Sequence, residues 1–168
     1  LVADSGAAQR ITYVLVRRFG TKNVQWAVVL TGFIVGIPMF YTVGFVILIP
    51  LVFTVAAATK LPLIYVGLPM LTSLSVTHGF LPPHPAPTAI AAMFGASIGK
   101  TLLYGTVVAI PAIVIAGPLF ARTIKKVKAT PLPEFYNPVI LKEHEMPTMG
   151  VSIFTALLPV LLIGLSTV

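Results

Sequence analysis

Seven polar side chains stand in stretches of the chain that carry no charge: Tyr41 and Thr42 in one, and Ser75, Thr77, His78, His84 and Thr88 in another. Hydroxyls donate and accept, so they trade hydrogen bonds with the hydroxyl groups of a polyhydroxylated ligand. An unperturbed imidazole changes charge near about pH 6.5 and can carry a proton. The set therefore suits a small hydroxylated anion, with His78 and His84 as candidates for a coupling proton. A histidine here has a structural use as well, capping carbonyls that nearby prolines leave free. No Arg or Lys lies in either stretch. A helix opening near Thr88 would hold a carboxylate instead, through unpaired N–H groups and the positive end of its dipole.

Other chemistries find little support. The apolar stretches hold no carboxylate and no Ser/His/acid set, so an enzyme is not expected. The histidine spacing suggests no metal site, and no cofactor is expected beyond a coupling H+. His144, between Glu143 and Glu145, reads as a solvated residue. There is no cysteine, hence no disulfide framework and no thiolate metal site. The net charge of +7 comes from basic residues that flank apolar runs. That is the pattern of cytoplasmic loops, and no aromatic-and-basic interleaving points to nucleic acid.

The solvent these elements need is lipid. The chain is 57% hydrophobic and 9% charged, with a mean hydropathy of +1.01, whereas a soluble domain carries about 25% charged residues. Charges are missing from 23–59, 61–99, 101–121 and 146–168. An all-α membrane protein follows, a polytopic helical bundle. Both ends of the sequence look cut, so it reads as an internal piece of a longer protein.

Six segments are expected. Residues 1–22 open on a turn at Asp4, Ser5 and Gly6 and continue as an interfacial helix over 7–19, with Ile11, Val14, Leu15 and Phe19 on one face. The 37 uncharged residues between Lys22 and Lys60 are too many for one span. Gly36, Pro38 and Gly44 break them, leaving arms of about 13 and 15 residues, so 23–60 reads as a re-entrant hairpin. Two short spanning helices are the alternative. Segment 61–99 reads as a discontinuous helix: helix over 63–76, then four prolines in 82–87, then helix over 88–96. In transporters such breaks mark a substrate site, and both interruptions are expected near the membrane midplane. Segment 100–121 is a full span with kinks at Pro111 and Pro118, 122–148 a cytoplasmic connector with Pro131, Pro133, Pro138 and Glu134, and 149–168 the start of another span. In this topology Lys100 alone of the basic residues lies outside. Thr31, Thr54 and Thr106 are expected to bond back to their own helices. Gly32 with Gly36, and Gly95 with Gly99, have the spacing of close helix packing.

Several stretches are similar to the gluconate:proton symporter (GntP) family: QWAVVLTG at 25–32, VGFV at 43–46, SVTHGFLPPHP at 75–85, KTLLYGT at 100–106 and EMP at 145–147. The likeness covers essentially the whole chain, and THGFLPPHP is its most specific part. It implies membership of the ion transporter superfamily, whose members pair inverted repeats containing re-entrant hairpins and broken helices. This chain would be about the first repeat, and the working protein a homodimer. The implied activity is proton-coupled uptake of gluconate or a related sugar acid, or of D-serine or another small hydroxy or dicarboxylic acid. The chain departs from the gluconate members at Thr42, where they often carry an acidic residue. A channel or a structural membrane subunit is the reading from another class.

Overall fold

The computed structural model describes residues 6–127, 129 and 141–166; Asp4, Ser5, Pro131, Pro133, Glu134 and Pro138 lie outside them. Helices α1 (Ala7–Phe19), α2 (Val24–Gly36), α3 (Tyr41–Thr59), α4 (Leu63–Phe80), α5 (Pro85–Met93), α6 (Ile98–Val114), α7 (Phe120–Thr123) and α8 (Met149–Ser166) follow one another, with no strand among the described residues. This is an all-α membrane protein. Among the described residues three units are long and apolar enough to cross a bilayer: Tyr41–Thr59, the broken pair Leu63–Met93, and Ile98–Thr123. Their outer faces keep apolar side chains exposed, among them Leu103, Val107, Ile110 and Ile115. Lipid, unlike water, imposes no cost on that exposure.

Helix α4 is the spine. Without a hydrophobic force between helices in lipid, close backbone approach and interhelical hydrogen bonds hold them together. On α2, a Cβ at Gly32 would lie 2.6 Å from the Met70 carbonyl oxygen, and one at Gly36 would strike Thr77 Oγ1. Two side chains reinforce the seam: Ser73 Oγ donates to Val29 O at 2.8 Å, and Gln25 Nε2 to Tyr65 O at 3.2 Å. The pairings 25 with 65, 32 with 70 and 36 with 77 make α2 and α4 parallel. Helix α3 runs the opposite way, with Gly44 against Leu74 and Gly67 against Val52. So α2 and α3 form a hairpin whose two ends return to the same end of α4.

The hairpin arms are unequal. Helix α2 has 13 residues, about 20 Å. Helix α3 has 19, about 28 Å, because it starts at Tyr41 and takes in the expected break up to Gly44. Helix α6 is antiparallel to α4: Gly105 meets the Phe80 carbonyl, and Gly117 meets Pro69. A π-helical turn at Ile115–Leu119 absorbs Pro118 and continues into α7. Thr72 Oγ1 donates to Ala116 O in that turn at 3.3 Å. Lys125 then sits 5.2 Å over the Tyr65 ring, at the start of α4. Lys22, Lys60 and Lys125 are thereby gathered at one end of the bundle, and Lys100 stands at the other.

Helix α1 has the expected bounds, burying Ile11 and Leu15 and exposing Arg17 and Arg18. Glu143 ties the connector to it, accepting from Arg10 Nη1 at 3.4 Å and Tyr13 Oη at 3.2 Å. Thr31, Thr54 and Thr106 all bond back to the carbonyl four residues earlier. Gly95 does not pack. It has φ +64° in the turn between α5 and α6, with nothing within 4 Å of where a Cβ would stand. The glycine seam gives a test. Gly32→Val should lower unfolding stability in detergent by about 1–3 kcal/mol through overpacking. Gly150→Ala, with open space around it, should leave the thermal midpoint where it is.

Candidate functional site

The hairpin tip and the break between α4 and α5 are one place. Helix α2 ends at Gly36, whose carbonyl has no partner further along its own helix. His84, across 48 residues of sequence, brings Nε2 to within 2.9 Å of that oxygen. A carbonyl only accepts, so Nε2 carries the hydrogen. His84 is the N-cap of α5, and its side chain is buried beside the tip. Phe40, at the tip, presents its ring to both imidazoles, with centroids 6.0 Å from His78 and 6.4 Å from His84.

His78 and His84 face each other through Nδ1, 3.1 Å apart, and the backbone N–H of Tyr41 points at His78 Nδ1 from 3.4 Å. These contacts constrain the protons. In a neutral pair the one hydrogen of His84 is on Nε2, so His78 must donate from Nδ1. It then has no lone pair for Tyr41. With one added proton, His84 donates from both nitrogens, and His78 Nδ1 accepts from His84. In either state His78 Nδ1 has at most one lone pair, so the 3.4 Å contact from Tyr41 is the weakest of the three.

The remaining expected residues divide. Thr77 is fully buried, and its hydroxyl bonds the carbonyls of Ser73 and Leu74, both at 2.8 Å. It is packed against Gly36 and not open to a ligand. Ser75 is exposed on α4, and Thr42 is exposed in the first turn of α3. Thr88 Oγ1 is buried with no hydrogen-bond partner among the described residues.

The helix break is shorter than four prolines suggest. Helix α4 runs on to Phe80, and α5 starts at Pro85 instead of near Thr88. Proline is welcome at the first position of a helix, where its missing N–H would have been unpaired anyway. Pro85 and Pro87 both fall in that first turn, so of its first three residues only Ala86 has an N–H to offer. Thr88 N–H already bonds His84 O at 3.1 Å. The start of α3 is the better donor end. Tyr41 N–H is turned to His78, Gly44 N–H closes onto Phe40 O at 2.9 Å, and Thr42 and Val43 keep their N–H groups unpaired among the described residues.

Along α6 the break lies close to the end that carries Lys100. Gly105, level with the break, is five residues from Lys100 along α6, about 8 Å. Four extra residues on α4 carry the break that way. Phe40, Gly36 O and Gly105 belong to the site, and residue type alone did not mark them. Among the described residues no three His, Asp or Glu side chains come together.

The description "GntP family permease" matches residues 1–168. The chain is 56% identical over 169 residues to a high-affinity gluconate transporter of Escherichia coli (strain K12), covering 100% of this chain and 38% of that protein. It is 52% identical over 168 residues to the Gnt-II system L-idonate transporter of the same strain, with the same coverage of 100% and 38%. A gluconate permease of Bacillus licheniformis is 49% identical over 174 residues, covering 100% of this chain and 39% of that one. The chain thus spans less than half the length of these relatives. No solved structure matches it.

Exposure at the site gives a test. Thr42→Cys should react with a small water-soluble thiol reagent in the full-length protein and be protected by substrate. Thr77→Cys should stay unreactive until the protein is unfolded. Equal labelling of the two would mean that the tip does not open onto a cavity.

Proposed function

The chain belongs to the GntP family of permeases, and from that premise we propose that the whole protein takes up gluconate or a related sugar acid, coupled to protons, across the bacterial inner membrane. The family is one of permeases, not enzymes. The observation that carries the reading is the contact of His84 with both Gly36 O and His78, which brings two imidazoles together where hairpin and helix break meet; in this reading the pair would hold the coupling proton. The protonated pair would attract a carboxylate. The free N–H groups at the start of α3 and the Thr42 hydroxyl would receive it, helped by the helix dipole. Tyr41, Ser75 and Thr88 would offer hydroxyls, and Thr77 would serve as packing. The names of the relatives, transporters of gluconate and L-idonate, support a polyhydroxylated acid as cargo.

In this reading α2 and α3 are a re-entrant hairpin whose tip stops at the break, since α2 alone is too short for a hydrocarbon core of about 30 Å. The basic end of the bundle is cytoplasmic. The chain is one half of an inverted-repeat transporter that works as a homodimer.

Uptake of radiolabelled gluconate into vesicles, with and without an inward proton gradient, tests the proposal. Saturable uptake stimulated by the gradient is expected. Absence of uptake by correctly inserted protein would overturn it, and inhibition by D-serine or succinate in preference to gluconate would change the cargo. His84→Ala should cut uptake more than tenfold while insertion persists, because a buried carbonyl loses its donor at about 1–3 kcal/mol. His78→Asn keeps an acceptor near Tyr41 N–H but cannot hold the proton. Gradient-driven accumulation should be lost while substrate counterflow continues; loss of both would make His78 structural.

A further inference from the structure

We propose that Lys100 is the outer docking point for the anionic cargo, at the mouth of a vestibule leading to the helix break; this rests on the sugar-acid reading above. Between residues 61 and 121 Lys100 is the only charged side chain. It is exposed and has no carboxylate partner among the described residues. Ser97 caps α6 by accepting the Lys100 N–H at 3.4 Å, which fixes the first turn and so the position of the lysine.

An open cavity of about 940 Å³ lies between the end of α4, α5 and the start of α6. Its floor is Gly79 and Phe80, next in the chain to His78, and its polar wall is Lys100, Thr101 and Tyr104. Gly105 closes the inner end, so near the Phe80 carbonyl that a Cβ would lie 2.8 Å away. A lysine about five residues of helix, or about 8 Å, from the break is within one Debye length of it at physiological salt. Apolar walls, here Ile90, Phe94 and Val108, focus the field of a single charge along such a passage. The other basic residues described are gathered at the opposite end of the bundle or in the connector, so Lys100 alone gives this mouth its sign. Lys100, Thr101 and Tyr104 give the otherwise apolar cavity one polar side, which complements a hydroxylated carboxylate.

The test reads charge at the mouth without needing transport. On a cysteine-free full-length background, Ala96→Cys in the vestibule wall is labelled with an anionic and with a cationic methanethiosulfonate reagent. Lys100→Gln should lower the anionic-to-cationic rate ratio about fivefold and Lys100→Glu about fivefold again, as expected for unit charges at this distance. High salt should erase the differences. In the same variants the half-saturating gluconate concentration should rise about threefold for Gln and more for Glu. An unchanged ratio overturns the proposal, as does a cysteine unreactive to both reagents, which would mean that lipid or protein fills the cavity. If the ratio responds but the wild type takes up no gluconate, the anion vestibule stands and the sugar-acid reading fails.

Discussion

Every backbone polar group at membrane depth needs a partner, and this requirement organises the molecule. Two interruptions each free carbonyls and N–H groups at helix ends. They are brought against each other, and the histidines of the break meet two of the freed groups while the Thr42 and Val43 N–H groups stay open. The carbonyl that α2 leaves open at Gly36 is closed by His84 from the break, and the N–H that opens α3 at Tyr41 is turned to His78. The histidines are therefore structural, each facing a backbone group of the hairpin tip.

That meeting depends on how closely three backbones approach. Glycines at 32, 36 and 44 let α2 and α3 lie on α4, and glycines at 105 and 117 do the same for α6. Ser73 adds a buried interhelical hydrogen bond on the same seam. Small residues thus do in lipid what a hydrophobic core does in water. The consequence for the site is positional. The seam sets the height of the hairpin tip against α4, and that height decides whether His84 reaches Gly36.

Much of this was legible in the residues. The amphipathic pattern over 7–19 located α1, the uncharged run between Lys22 and Lys60 required a turn back, and the back-bonding threonines behaved as their side-chain geometry dictates. Where residue type misled, position within an element was the missing quantity. Four prolines in six residues read as a long break, but Pro85 and Pro87 fall in a helix's first turn, where a missing N–H costs nothing. The same fact removes the donors that made the start of α5 look like the carboxylate site and moves that role to α3. Thr77 looked like a ligand group because its type is polar. Its actual partners are two carbonyls of its own helix, which only the packing against Gly36 reveals. Gly95 carried the spacing of a packing glycine and is used for its positive φ instead.

The scarcity of fixed charge near the break bears on coupling. A site built around a buried Arg or Lys would bind its anion tightly whether or not a proton was present, and its empty form would carry an unpaired charge at high cost. Here the groups at the break are neutral when unprotonated: two imidazoles, hydroxyls, and helix ends with partial charges. In the proposed reading, an anion entering the neutral pair would gain only dipoles, whereas one entering a protonated pair would gain a full opposite charge at short range. By linkage, the anion would then raise the affinity for the proton by the same factor that the proton raises the affinity for the anion. Proton and cargo would favour each other without any moving part. Lys100, docking the anion at the mouth as proposed, would leave this balance untouched because it stands outside the break.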